Sequence, residues 1–330
     1  MHHRPFGNAG VSVSEIGLGC WQLGGADWGD VSDEQALATL RAATDAGVDF
    51  FDTADVYGLG RSETLIGKFL AAEGKRGKVF VATKLGRFPQ PGWPEHFTPA
   101  TVRAHTEASL RRLGVEALDL TQLHCIPMDV MRDGGVFESL RALKREGKIR
   151  HFGASVESME EARLCLRQEG LASLQIIFNI FRQKPVEELF DEAARRGVAL
   201  IVRLPLASGL LSGRMGRGTR FAAGDHRNYN RDGQKFNVGE TFAGLPFEKG
   251  VELADGLKPL VPAGMDMAEM ALRWCLDFPA VSVVIPGAKD PAQARRNAQA
   301  SDRPPLPPGL HESLAAFYRE HVTGHIRGPY

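Results

Sequence analysis

The chain has 330 residues, 43% of them hydrophobic and 24% charged, and its 40 Lys+Arg balance its 40 Asp+Glu, so the formal net charge at pH 7 is zero. Without a cationic excess there is no global footprint for a phosphate backbone or an anionic bilayer, which argues against nucleic acid and membrane as partners. Ordinary apolar content excludes the disordered and fibrous classes and allows a sizeable buried core.

The opening MHHRPFGNAGVSV reads as a short hairpin and lacks the apolar stretch of a secretion signal. No run of about 18 apolar residues suited to a bilayer follows. Cys20, Cys125, Cys165 and Cys275 are widely spaced and form no CxxC or CxxH pair. The expectation is a cytoplasmic chain with reduced thiols and no metal site.

Eight β-rich runs then recur in order. They are EIGLGC (15–20), VDFFDT (48–53), KVFVATK (78–84), LDLTQLH (118–124), IRHFGAS (149–155), SLQIIFN (173–179), VALIVRL (198–204) and VSVVIP (281–286). Helical stretches separate them, such as DEQALATLRAATDAG, PATVRAHTEASLRRLG and GVFESLRALKREGK. This alternation is the signature of a parallel sheet built from βαβ units. The doubly wound sheet and the eight-stranded barrel both accept it. The first run leads into GLGCWQLGG, which puts Gln22 where the dinucleotide fingerprint needs its third glycine and runs on before any helix begins. No G-x-x-x-x-G-K-[ST] loop exists either. A (β/α)8 TIM barrel with an N-terminal hairpin follows, and one domain, 1–330, absorbs the length. Residues 205–280 separate the last two runs, a far longer gap than any other, and read as a loop insertion. Within it, 206–237 holds six glycines, six Lys or Arg and only two acids, the composition of a lid over an anionic ligand.

In a barrel the chemistry sits at the C-terminal ends of the strands. Asp52, Lys84 and His124 close the second, third and fourth runs, and Tyr57 lies on the turn DTADVYG. A Tyr hydroxyl ionises near ~10, and a neighbouring ammonium stabilises the phenolate. Lys84 supplies that charge, Asp52 is its counter-ion, and His124 can donate to a substrate oxygen. Such a site protonates an oxygen while a hydride reaches the attached carbon, which is carbonyl reduction.

GVDFFDTADVYG with SETLIGKFL, VFVATKLG, LDLTQLH, GKIRHFGAS, PLASGLLSGR and VVIPGAKDPAQARRNAQA together resemble the successive blocks of the aldo-keto reductase superfamily. The resemblance implies a (β/α)8 barrel binding NADP(H) without a Rossmann turn, and a tetrad of Asp52, Tyr57, Lys84 and His124 with Tyr57 as general acid. It further implies that Gly19, Cys20 and Trp21 lie beside the nicotinamide with Asp52, and that Ser155 and Gln175 hold the carboxamide. Leu206, Ser208, Gly209 and Arg214 would line the pyrophosphate. At the adenosine end, Gly287 allows close approach, Gln293 and Asn297 reach the base, and Lys289 and Arg296 meet the 2′-phosphate. Val156 departs from the family's Asn. Arg203 stands where many members carry a Tyr, and either stacks on the nicotinamide or turns to an acid. Trp21, Trp28, Phe88, Trp93 and the tail HIRGPY surround the mouth and suggest a pocket tolerant of apolar or aromatic carbonyls. The rival reading is a cofactor-binding regulator resembling potassium-channel β-subunits, with slow turnover; a homo-oligomer is compatible with either.

Overall fold

The computed structural model describes residues 1–330, the side chain of Ala26 excepted. β1 (His3–Pro5) and β2 (Ser12–Ser14) form the antiparallel hairpin. Then come β3 (Leu18–Gly19), β4 (Phe50–Asp52), β5 (Phe80–Leu85), β6 (Leu118–His124), β7 (Ile149–Ser155), β8 (Leu171–Ile177), β9 (Ala199–Arg203) and β10 (Val281–Val284). These eight pair in sequence order as one parallel sheet. Its two edges meet through bridges Ile16↔Val284 and Gly19↔Gly287, reinforced where Gly17 N–H donates to Val284 O at 2.8 Å. All eight β-rich runs are strands, although the first contributes only Leu18 and Gly19 before the chain turns at Cys20.

The helices between the strands present apolar faces to the outside of this sheet. The helix Asp33–Asp45 starts at Ser32, whose hydroxyl accepts from Gln35 N–H, and buries Ala36, Leu40 and Ala43. Gly47 at φ 85 ends that turn in a conformation a side chain would resist. Inside the barrel the strands alternate, and Phe50, Ala82, Leu120, Ala199, Ile201 and Val283 fill the lumen. Gly153 belongs to this inward set. A Cβ there would come within 2.2 Å of Ser173 Oγ, so only glycine lets β7 and β8 pair at this level.

The hairpin seals the N-terminal end of the lumen. Phe6 is fully buried, its ring 5.7 Å from Phe50 and 5.2 Å from Phe80. At the other end, the long segment after β9 is loose only in part. The helical patterns of FEKGVELADGLKPLV and MDMAEMALRWCLDF are the helices Phe247–Leu257 and Met267–Leu276. Residues 216–224 are largely exposed, but from Asp225 the chain is packed down, with His226 and Asn230 fully buried. His226, Tyr229 and Phe236 supply there the contact area that the glycine and arginine content of the segment conceals. All four cysteines are free. No helix among the described residues is long and apolar enough to cross a membrane.

Replacing Phe6 by Ala removes a large buried ring from the barrel floor and is expected to cost about 3–5 kcal/mol, read from urea unfolding. A loss under about 1 kcal/mol would show that the hairpin does not seal the core.

Candidate active site

The same alternation that fills the floor with apolar groups continues to the strand ends, where the inward residues turn polar. Lys84 stands two residues past Ala82, Gln122 and His124 follow Leu120, Ser155 follows Gly153, Gln175 follows Ser173, and Arg203 follows Ile201. Register aligns them: Lys84 pairs with Gln122, His124 with Ser155 and Ser155 with Gln175. One polar layer therefore closes the lumen at its C-terminal end.

Lys84 and Asp52 are its centre. They are 1% and 3% exposed, and Lys84 Nζ donates to Asp52 Oδ1 at 2.5 Å and to Thr53 O at 2.9 Å. Asp52 Oδ2 accepts from Gln175 Nε2 at 2.7 Å and from Gln122 Nε2 at 3.2 Å, so the carboxylate is fully engaged. Tyr57 lies above, its ring centroid 5.2 Å from Lys84 Nζ and 5.8 Å from the His124 ring. Burial, then the Asp52 carboxylate, hold the Tyr57 hydroxyl well above its ordinary range. The depression expected from Lys84 does not prevail against burial and the Asp52 and Glu240 carboxylates. Burial, then Arg87 and Lys84, push His124 well below the ordinary range, which leaves the imidazole neutral. Its Nδ1 is buried without a partner.

A pocket of ≈ 790 Å³ opens over this layer. Asp52, Tyr57 and His124 line it, while Lys84 lies behind them. Trp21 stacks on Tyr57 at 5.9 Å and meets Trp28 edge-on at 5.6 Å. Phe88 and Trp93 do not line the pocket. The loop after β5 turns Arg87 inward instead, so Phe88 packs on the His105 ring at 5.5 Å and Trp93 lies 49% exposed beside Phe97. The C-terminal tail also stays outside the pocket lining: Arg182 covers the Tyr330 ring at 4.1 Å.

Polar groups far apart in sequence complete the wall. Arg87 reaches Glu240 at 2.7 Å and Glu157 at 3.0 Å, and donates to His124 O. Arg203 both faces the pocket and turns to an acid. It lies 3.6 Å from Glu240, and its Nη2 donates to Val156 O at 3.2 Å, on the residue where the family pattern has Asn. Its Nε has no partner. The Arg87 and Arg203 guanidiniums hold Glu240 far below the ordinary carboxylate range against burial, whereas burial and then Glu240 push Glu157 up to about 7. Cys125 Sγ, Glu157 and Glu240 come within 4.8 Å of one another, but the two guanidiniums already compensate that charge. Asp27 ties the far wall together, accepting from Trp21 Nε1 at 3.0 Å and from the Tyr229 hydroxyl at 2.7 Å.

From this end the pocket continues as a groove past Gly19, Cys20, Ser155, Gln175, Leu206, Ser208, Gly209 and Arg214 to Gly287, Lys289, Gln293, Arg296 and Asn297. Gly19 and Gly287 meet at the barrel seam, where a Cβ on Gly19 would lie 2.9 Å from Ile285 O. Leu204, Ala207 and Ser208 hold φ of 54, 48 and 56, which concentrates strained backbone at the mouth. Among the described residues, Lys289, Arg295 and Arg296 have no acidic partner in any ion pair, and Arg295 does not line the groove. Asn297 Nδ2 donates to Gly287 O and Gln293 Oε1 accepts from Lys289 N–H, so both brace the loop ahead of their helix. Arg87, Glu157 and Glu240 were not singled out from sequence. Arg87 and Glu157 each lie within three residues of a polar strand end, a usable signal; Glu240 carries none.

The profile of the aldo/keto reductase family matches residues 15–319. The chain belongs to that family, whose members are oxidoreductases. It is 30% identical over 300 residues to the aldo-keto reductase YhdN of Bacillus subtilis (strain 168), covering 89% of this chain and 86% of that protein. It is 32% identical over 297 residues to an uncharacterized oxidoreductase of Mycobacterium tuberculosis (strain ATCC 25618 / H37Rv), covering 88% of this chain and 85% of the relative. Among solved structures it resembles the glycerol dehydrogenase AKR11B4 from Gluconobacter oxydans, with a TM-score of 0.79, 29% identity and coverage of 99% and 98% of the two chains. It also resembles the holo form of the aldo-keto reductase AKR11C1 from Bacillus halodurans, with a TM-score of 0.77, 27% identity and coverage of 98% and 99%.

Lys84→Met leaves Asp52 with two amide donors and no cation, and is expected to cost about 3 kcal/mol or more in urea unfolding. Adding Asp52→Asn should recover much of that loss. Additive effects of the two substitutions would mean that the pair is not coupled.

Proposed function

We propose that this chain is a single-domain, cytoplasmic, NADPH-dependent reductase of small polar aldehydes or ketones, with Tyr57 as its proton donor. The observation that carries the reading is a phenol, a neutral imidazole and a neutralised ammonium converging over one pocket at the C-terminal end of a parallel barrel. A nicotinamide cofactor in the adjoining groove would supply the hydride. The residues of the chain do the rest. A carbonyl oxygen placed between Tyr57 and His124 accepts from both. Tyr57, kept un-ionised at neutral pH by burial, gives its proton to that oxygen as the carbon is reduced. Negative charge then develops on the phenolate, and Lys84 lies within reach of it while Asp52, Gln122 and Gln175 keep the ammonium in place. The product is the alcohol, and the tyrosine is reprotonated from solvent.

Substrate polarity is read from the wall. Trp21 and Trp28 alone favour an aromatic guest, but Arg87, Glu157, Arg203 and Glu240 share the lining and favour a hydroxylated one. The similarity to a glycerol dehydrogenase supports the same reading. NADPH is preferred because Lys289 and Arg296 line the far end of the groove without an acidic partner among the described residues.

Tyr57→Phe should retain fold and cofactor affinity and lose turnover by two orders of magnitude or more (roughly, for a lost general acid) in an assay of NADPH consumption with hydroxylated aldehydes. An unimpaired rate would remove Tyr57 from the chemistry. Two charge-assisted hydrogen bonds to a phosphate should favour NADPH over NADH by roughly a hundredfold or more. The ratio of their dissociation constants should collapse in Lys289→Ala with Arg296→Ala; a ratio near unity in the wild type would refute the assignment.

A further inference from the structure

Three buried carboxyl groups crowd behind the mouth: Asp52, Asp55 and Glu63. Two cations reach them. Lys84 is held by Asp52, and Arg112 Nε by Glu63 Oε2 at 2.6 Å, while Glu63 Oε1 accepts from the Thr83 hydroxyl. Asp55 is left over. It is fully buried, neither carboxyl oxygen has a hydrogen-bond partner, and the nearest ring nitrogen, His105 Nδ1, lies 3.6 Å from Oδ2. An ionised carboxylate without a donor or a free cation is costly in such a place, whereas a carboxylic acid brings a proton of its own to donate. With three acids and two cations, one acid stays protonated, and Asp55 is the one without a cation of its own.

We propose that Asp55 is a positioning residue: a neutral acid that donates its proton to His105 Nδ1 and so pins the turn that carries Tyr57. The proposal rests on the reading of Tyr57 as proton donor. Asp55 lies between Asp52 and Tyr57 on that turn. Its own N–H donates to Lys84 O at 3.1 Å, and Tyr57 N–H donates to Ala54 O at 3.2 Å. The backbone thus fixes one side of the turn to β5, and on the other side the acid faces the helix Pro99–Leu113, whose His105 Nδ1 lies 3.6 Å away.

The groups facing Asp55 agree with a neutral pair. Burial, then the Glu63 carboxylate on the helix Arg61–Ala72, push Asp55 up to about 8, with Arg112, the Val56 backbone N–H and Lys84 pulling the other way. Burial, then His96 on the loop after β5 and Arg112, push His105 down. In the unfolded chain an Asp ionises near about 4. The raised value means that stability from this group is present in full below about 4 and is lost progressively as pH rises to about 8, with no further loss above that.

Asp55→Asn tests this, since its amide still donates to His105 but does not ionise. The wild-type Tm should fall relative to the variant between pH 5 and 8, and wild-type kcat should drop above about pH 8 while the variant's holds. In the wild type at pH 7, ¹⁵N shifts of the His105 ring, assigned with His105→Gln, should report an unprotonated Nδ1. A protonated Nδ1, or parallel Tm curves from pH 5 to 9, would overturn the neutral acid. Parallel kcat curves with the expected Tm and ring signals would overturn its role in positioning Tyr57. If the Asn variant does not fold, the ring measurement on the wild type decides the neutral acid, and the presence or absence of a fall in wild-type kcat above about pH 8 decides the positioning role. Failure of the underlying reading shows separately, as full turnover in Tyr57→Phe.

Discussion

Lys84 brings an ammonium into the lumen of a closed barrel, where water scarcely reaches it. Such a charge persists only if its surroundings repay the lost hydration, and much of the upper barrel is arranged to do so. Asp52 supplies the opposite charge, Thr53 a carbonyl, and the Gln122 and Gln175 amides hold the carboxylate from the far side of the lumen. Four strands are cross-linked by these bonds. Tyr57 rests on this base, so its position is inherited from a network that cannot shift without leaving a charge unpaired.

A second compensated set rises above the first. Arg87, Glu240, Glu157 and Arg203 join the ends of β5, β7 and β9 to the segment after β9. Glu240 is the one acid from that segment to enter the pocket wall next to both guanidiniums. The segment is thereby fastened by charge at Glu240 and by Asp27 and the aromatic residues at Tyr229 and His226, and the largely exposed stretch 216–224 is held at Phe221, which packs on Phe242 and Phe247. Binding geometry and loop packing share the same side chains.

The barrel was legible in the recurrence of β-rich runs with helical stretches between them, and Asp52, Lys84 and His124 in the polar residues that close three of those runs. Ser155 and Gln175 were reached through the family resemblance, and Gln175 stands within its strand with Ile177 beyond it. Phe88 and Trp93 misled because aromatic character says nothing about direction, and the loop after β5 gave the inward place to Arg87. Glu240 lies in a region whose pattern is neither helical nor extended, and only the folded chain brings it to Arg87, 153 positions away. In the segment after β9 the two helices were legible from their periodicity, but the packing of Asp225–Asn230 was not. The segment's glycine and arginine content suggested looseness, while the few aromatic residues that hold it down were outnumbered in the composition.

The chain has four tryptophans, and two of them, Trp21 and Trp28, cluster at the mouth with His226, whose ring lies 4.7 and 4.3 Å from theirs. Trp274 is locked in the outer core and Trp93 faces solvent. The molecule therefore carries an optical gauge of its own. Imidazolium quenches indole emission strongly and neutral imidazole weakly, but burial pushes His226 down to about 4, so protonation leaves the signal alone across the neutral range. The Trp21 and Trp28 share of the emission there is sensitive to the distance between the Asp225–Asn230 turn and the barrel wall, in an unlabelled chain whose Trp93 and Trp274, the latter beside His311, emit as well.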